Sequence, residues 1–267
     1  MNTRVVGMAS GKGGVGKTTL IVNLALQLAE FGKKVLIFDA DLGMANVHLA
    51  FSKSISHSLS DVIDGTVSLE QTIVSLSEGI DLIPGGSGVA NIADLDEIGV
   101  SSIVQAFSAI EGQYDYLLVD MSAGISTQVL TFLSSVHLKI IVGTDELGSI
   151  SDAYSLIKVL SKQHSIDNLI YLPNRVSSSK AGKKLYDSLN YVTTKFLNKQ
   201  LEYVGCISED SLYCRVWDSP EPERIITSSS NAYAELSAVV SEIERHLAFN
   251  SHEGSRGLSF FLDGFTS

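Results

Sequence analysis

The stretch Gly11-Lys12-Gly13-Gly14-Val15-Gly16-Lys17-Thr18 has the residue types and the spacing to hold a chain of phosphates. Glycines tolerate positive φ and let backbone approach a ligand, so successive N–H groups can converge on phosphate oxygens. Lys17 places a charge between β- and γ-phosphates, the Thr18 hydroxyl can ligate Mg²⁺, and Thr19 extends the cradle into the helix that follows. That helix start adds its positive dipole end. The chemistry expected here is binding of a nucleoside triphosphate with Mg²⁺. Lys12 is a second lysine, which the bare phosphate-loop pattern does not demand.

Two acidic stretches match that chemistry. Asp39-Ala40-Asp41 follows an apolar run, and Asp120 ends another, ahead of Met121-Ser122-Ala123-Gly124. A carboxylate at the C-terminal end of a buried strand points into the crevice where α/β sheets bind ligands. There, Asp41 can accept a hydrogen bond from an attacking water and orient it. Asp120 is placed to support Mg²⁺, often through water. For Asp39 two readings stay open: support of the metal region, or capping of the loop backbone.

These groups need rigid elements to position them. Strand-like apolar runs occur at Val5-Val6-Gly7-Met8-Ala9, Val35-Leu36-Ile37-Phe38, Ile80-Asp81-Leu82-Ile83, Tyr116-Leu117-Leu118-Val119, Lys139-Ile140-Ile141-Val142 and Leu169-Ile170-Tyr171-Leu172, with a weaker seventh at Leu201-Glu202-Tyr203-Val204-Gly205. Several are apolar throughout, as in strands buried on both faces of a parallel sheet. Segments of helical periodicity separate them, such as Leu20, Leu24, Leu28 and Phe31. The reading is α/β: a doubly wound, mostly parallel sheet with helices on both faces. Tyr233–Phe249 closes this body with an amphipathic helix. The expected organisation is an ATPase domain over 1–249, then a flexible linker and short amphipathic tail over 250–267.

With those motifs placed, the sequence resembles the deviant Walker A ATPases, the MinD/ParA family of P-loop proteins. The resemblance runs from residue 4 to about residue 249. It implies ATP and ADP as nucleotides, Mg²⁺-dependent hydrolysis of ATP to ADP and phosphate that is slow and partner-stimulated, and a homodimer in the ATP-bound state. It assigns Lys12 the task of reaching phosphates held by the partner subunit. It gives Asp41 the water, and Asp120 and Gly124 the second switch; Thr18, Asp41 and Asp120 form the metal set. Asn174-Arg175 stands where the MinD-like branch contacts adenine. Gly205-Cys206-Ile207-Ser208-Glu209-Asp210 stands where the family has Gly-x-Ile-Pro-x-Asp, so Asp210 joins the nucleotide set and Ser208 replaces a proline. Met121 and Leu147-Gly148 are further departures. No Asn-Lys-x-Asp run reads guanine, which favours ATP over GTP.

Within the family, the run from Asp39 to Val47, the run from Asp120 to Ser126 and the run from Thr144 to Lys158 resemble the FlhG/FleN group. The implied role is regulation of flagellar number, placement and gene expression, with a flagellar GTPase or a transcriptional regulator as partner. MinD-type division-site selection and ParA-type partition are the alternatives. The chain opens directly on its first strand, so stimulation of a GTPase by an N-terminal extension is not carried over.

Composition narrows the field further. A net charge of −11 opposes non-specific attraction to DNA or anionic lipid, and no specific nucleic acid is expected. Only Cys206 and Cys214 occur, which disfavours a disulfide framework, a zinc site or an iron–sulfur cluster. The expected location is cytoplasmic, with a peripheral role at the inner face of the membrane. Leu258, Phe261, Leu262 and Phe265 fall on one face of a short helix. They have two readings: a membrane foot that gains avidity in a dimer, or an apolar face docked on its own domain.

Overall fold

The fold comes from a computed structural model, which describes residues 3–41, 46–86, 106–107, 109–163, 168–219, 221–222 and 225–250. β1 (Arg4–Ser10), β2 (Val35–Ala40), β4 (Ile80–Pro84), β5 (Tyr116–Ala123), β6 (Leu138–Gly143) and β7 (Leu169–Pro173) run parallel, and β3 (Val74–Ser77) joins antiparallel at one edge. The sheet order is β3-β4-β2-β5-β1-β6-β7.

Alternation along the central strands feeds two cores. Val5 and Ala9 of β1 and Leu36 and Phe38 of β2 face one side, where they meet α5 (Thr127–Ser135), α6 (Leu147–Gln163) and α7 (Ser179–Leu197). Val6, Met8, Val35 and Ile37 face the other, against α1 (Lys17–Glu30) and the last helix, α9 (Asn231–Asn250). The short helices between are α2 (Val47–Ala50), α3 (Leu59–Ile63), α4 (Leu69–Thr72) and α8 (Ser211–Cys214). On α9, Leu236, Val239, Val240 and Ile243 are buried at helical spacing. Each such side chain contributes about 1.5–3 kcal/mol before ordering costs, so this face pins the helix to the sheet.

The doubly wound sheet read from the sequence is the sheet observed, with three local differences. Leu201–Gly205 makes only an isolated bridge from Glu202 to Ile170, because Gly205 at φ 116° turns the chain away. The seventh strand is instead β3, a four-residue edge element. Phe31 caps α1 and is 43% exposed, so it lies off the buried stripe of Leu20, Leu24 and Leu28. The tail residues Leu258, Phe261, Leu262 and Phe265, and Leu42 to Ala45 of the first acidic run, lie outside the described residues. No helix among the described residues is long and apolar enough to cross a membrane.

Candidate functional site

β1 delivers the chain to Ser10 at the C-terminal edge of the sheet, and α1 leaves from Lys17. The turn between them needs glycine twice: Gly14 sits at φ 78° and Gly16 at φ 91°, where a side chain would be strained. Gly11 is required for space, since a methyl group there would run into the backbone of Asp152 on α6. Gly13 and Gly14 face open space. The loop is thus packed hard on one side and bare on the other.

Side chains hold that shape. Ser10 Oγ donates to the Lys12 carbonyl at 2.7 Å and accepts from Lys17 Nζ at 2.9 Å. The hydroxyl therefore holds the lysine over the loop. The sequence reading missed Ser10, although a serine just ahead of the glycines was the available signal. Burial pushes the Lys17 ammonium below its ordinary range, while Asp120 and then Asp41 oppose that shift. Asn174 is buried under the loop and donates from Nδ2 to the Val15 carbonyl at 2.7 Å. The residue read as an adenine contact is, in this structure, a brace of the phosphate loop.

β2 and β5 place Asp39 and Asp120 opposite one another in register, beside Met8 of β1. Both are about 1% exposed. Burial raises Asp39 to about 7, and the neighbouring Asp120 adds to the rise. Asp39 nonetheless has a full set of donors: the backbone N–H groups of Asp41, Asn46 and Val47 at 3.2, 2.9 and 3.1 Å. Its role is therefore to cap the switch loop and the start of α2. Burial also raises Asp120, to about 6, against the pull of the Thr18 hydroxyl and the Lys17 ammonium. No hydrogen bond of full geometry reaches either Asp120 carboxylate oxygen among the described residues, and the Thr18 hydroxyl is the donor that acts on it. A buried carboxylate with no backbone donor, beside a threonine hydroxyl, fits a hydrated divalent cation.

An open cleft of about 720 Å³ lies above the loop, lined by Gly13, Gly14, Gly16, Lys17, Thr18 and Thr19, by Asp41 and Asn46, and by Ser122 and Ala123. Leu49 and Trp217 complete its wall, and neither was picked out from the sequence. Asp41 is half-buried and so reaches both cleft and solvent. No cluster of three or more His, Cys, Asp or Glu side chains suited to a metal occurs among the described residues. A cation here would take most of its oxygens from phosphate and water.

At the rim, Lys12 Nζ bonds Glu146 Oε2 of its own chain at 2.7 Å, and both side chains are about half exposed. The bond to Glu146 raises the Lys12 ammonium above its ordinary value, with a further contribution from Asp152. Gly124, at φ 103°, carries the switch after β5 into open space, with Ile125 exposed beside it. The departures have physical partners. Met121 is buried, and its Cε fills the room left by Gly7. Ser208 donates from Oγ and from its backbone N–H to Glu235 on α9, at 2.6 and 3.0 Å; a proline has neither donor. Arg175, at φ 55°, pairs with Glu209 at 3.2 Å, and Asp210 caps α8 through Leu212 N. Neither residue lines the cleft as it stands.

Comparison with known proteins agrees with this geometry. An AAA domain family model matches residues 3–169. The antiactivator FleN of Pseudomonas aeruginosa is 39% identical over 78% of this chain and 74% of its own. The flagellum site-determining protein YlxH of Helicobacter pylori is 35% identical over 80% and 72%. Among solved structures, MinD in the Aquifex aeolicus MinC:MinD complex superposes with a TM-score of 0.72 at 26% identity, over 91% of this chain and 96% of that one. MinD of Pyrococcus horikoshii, solved with Mg-ADP, gives a TM-score of 0.72 over 93% and 99%; at 24% identity it speaks for the fold alone. A shared sheet over nearly all of MinD, and shared sequence over most of FleN and YlxH, place this chain in the MinD/ParA family of P-loop ATPases, with the group that contains FleN and YlxH.

Proposed function

We propose that the protein is an ATP-driven dimerisation switch that regulates the number and placement of flagella. The observation that carries this reading is the rim of the phosphate cleft. Gly13 and Gly14 are bare, the second lysine lies beside them at the surface, and Leu49 and Ile125 are exposed near by at 54% and 51%. A cleft open on that side leaves the phosphates unshielded until a second copy covers them. Likeness to FleN and YlxH supplies the flagellar process, and the acidic net charge supports a protein partner over DNA.

Each side chain has a part in the proposed cycle. Backbone N–H groups of Gly13 to Thr18 hold the phosphates, with Lys17 across the β- and γ-oxygens. Thr18 and Asp120 would hold Mg²⁺, with Asp41 within reach through water; the cation supplies charge neutralisation and geometry for phosphoryl transfer. Lys12 leaves Glu146 and turns to the phosphates of the partner subunit, where two bound nucleotides would otherwise repel one another. Asp41 orients the attacking water. Hydrolysis and phosphate loss then remove the ligand of Gly124 and Lys12, and the dimer opens. Asn174, Arg175 and Asp210 meet the base if the loops after β7 close over it. Slow turnover stimulated by a protein partner belongs to the same reading, as does attachment at the membrane through Leu258, Phe261, Leu262 and Phe265.

The test is capture of a partner by Asp41→Ala protein held in ATP, compared with wild-type protein in ADP. Enrichment of a flagellar regulator or GTPase in the ATP arm alone supports the reading. Equal capture in both arms removes the switch. A division-inhibitor partner in its place moves the protein to MinD-type site selection.

A further inference from the structure

The molecule's sole tryptophan, Trp217, ends a 3₁₀ turn over Arg215–Trp217, directly after α8. Its indole Nε1 donates to Thr19 Oγ1 at 3.1 Å, joining residues 198 apart in sequence. The ring is half-buried and forms part of the cleft wall, beside Thr18, Thr19, Asn46 and Leu49. The turn is held rigidly. Val216 is fully buried, Tyr213 Oη bonds the Ala232 carbonyl and Glu235, and Asn23 Nδ2 ties the Thr19 and Tyr213 carbonyls together. Trp217 therefore moves with the start of α1.

The direction of the phosphate loop decides what meets this ring. Lys17 reaches the β- and γ-phosphates and the Thr18 hydroxyl the cation, while backbone N–H groups at the end of the loop cradle the α- and β-phosphates, so Thr19 is the first side chain beyond the cradle along the helix. Past Thr19 comes the nucleoside. Indole N–H is a donor only, so its bond occupies a lone pair on Thr19 Oγ and leaves the hydroxyl proton free for an α-phosphate oxygen. The hydrocarbon face of the ring, next to Leu49, is left for a flat or apolar group.

We propose that Trp217 is the wall against which the nucleoside end of the bound nucleotide rests, a specificity contact supplied by this turn in addition to Asn174, Arg175 and Asp210. The proposal rests on the ATP reading above. Aromatic stacking on a base changes affinity by about tenfold or more. Calorimetry on the full chain with two probes, Mg-ADP and Mg-tripolyphosphate, separates the nucleoside contact from the phosphate contact. Trp217→Ala is expected to weaken Mg-ADP about tenfold and to leave Mg-tripolyphosphate within about twofold, while Trp217→Phe keeps most of the ADP affinity. In wild-type protein the fluorescence of Trp217 should shift with Mg-ADP well before it responds to tripolyphosphate. Unchanged ADP affinity in Trp217→Ala overturns the proposal. So does an equal loss for both probes, which would make the turn a brace of the phosphate loop. If wild-type protein binds tripolyphosphate but not ADP, the nucleotide reading itself fails.

Discussion

The ends of β2 and β5 carry the same residue in adjacent register, buried to the same degree, yet Asp39 and Asp120 are set up for different work. Asp39 spends its oxygens on three backbone N–H groups and fixes the switch loop. Asp120 is equally buried but receives no backbone N–H bond, and only the Thr18 hydroxyl and the Lys17 ammonium act on it. A buried carboxylate with so few donors is costly, and such a cost persists where a ligand removes it. The contrast separates a carboxylate that caps backbone from one left for a proposed cation, where sequence position alone does not.

Substitution can break this contrast directly. The largest effect is expected from Asp120→Asn, which removes the buried charge and the cation contact together. The free protein should melt at the same temperature or higher at pH 8, while Mg²⁺-dependent stabilisation by ADP disappears from a thermal shift assay. A variant that still gains stability from Mg-ADP would show that Asp120 is not part of the metal site. Asp39→Ala should do the reverse in kind. It strands three backbone donors, of which only the Val47 N–H is buried, so stability should fall by about 1–3 kcal/mol in urea unfolding whether or not Mg²⁺ is present.

The same pair sets the pH dependence. Asp39 at about 7 and Asp120 at about 6 lie above the ordinary carboxylate value of 3.8, so the folded protein holds protons there that the unfolded chain has released. Stability should therefore be greatest near pH 4 as far as these two groups decide it, and should decline as pH rises from about 4 to about 7. Mg-ADP should flatten the Asp120 part of that decline. A stability that climbs through this window in Asp39-intact, Asp120→Asn protein would show that Asp39 is already ionised. The smallest effect belongs to Ser208→Ala, which removes one part-buried hydroxyl bond to Glu235 and should cost about 1–1.5 kcal/mol, the low end for a hydrogen bond to a charged group.

What the sequence made legible follows the physics of each element. The phosphate loop was legible because close backbone approach and positive φ restrict residues 11, 14 and 16 to glycine. The parallel strands were legible because burial on both faces leaves continuous apolar runs. β3 was not, since Val74-Ser75-Leu76-Ser77 is a short edge element with one buried side chain. The split between Asp39 and Asp120 was hidden too, because it depends on where the backbone N–H groups of residues 41, 46 and 47 turn. Trp217 and Ser10 act through contacts made by the fold, and for Trp217 the partner is distant in the chain.

The central claim is that Lys12 serves a second copy of the chain. Sedimentation of the full chain with Mg²⁺ and a non-hydrolysable ATP analogue tests it most directly. Wild-type protein is expected to sediment as a dimer with the analogue and as a single chain with ADP, and Lys12→Ala to remain a single chain with either, while still binding nucleotide through Lys17. A Lys12→Ala protein that forms the dimer as readily as wild type would contradict the account.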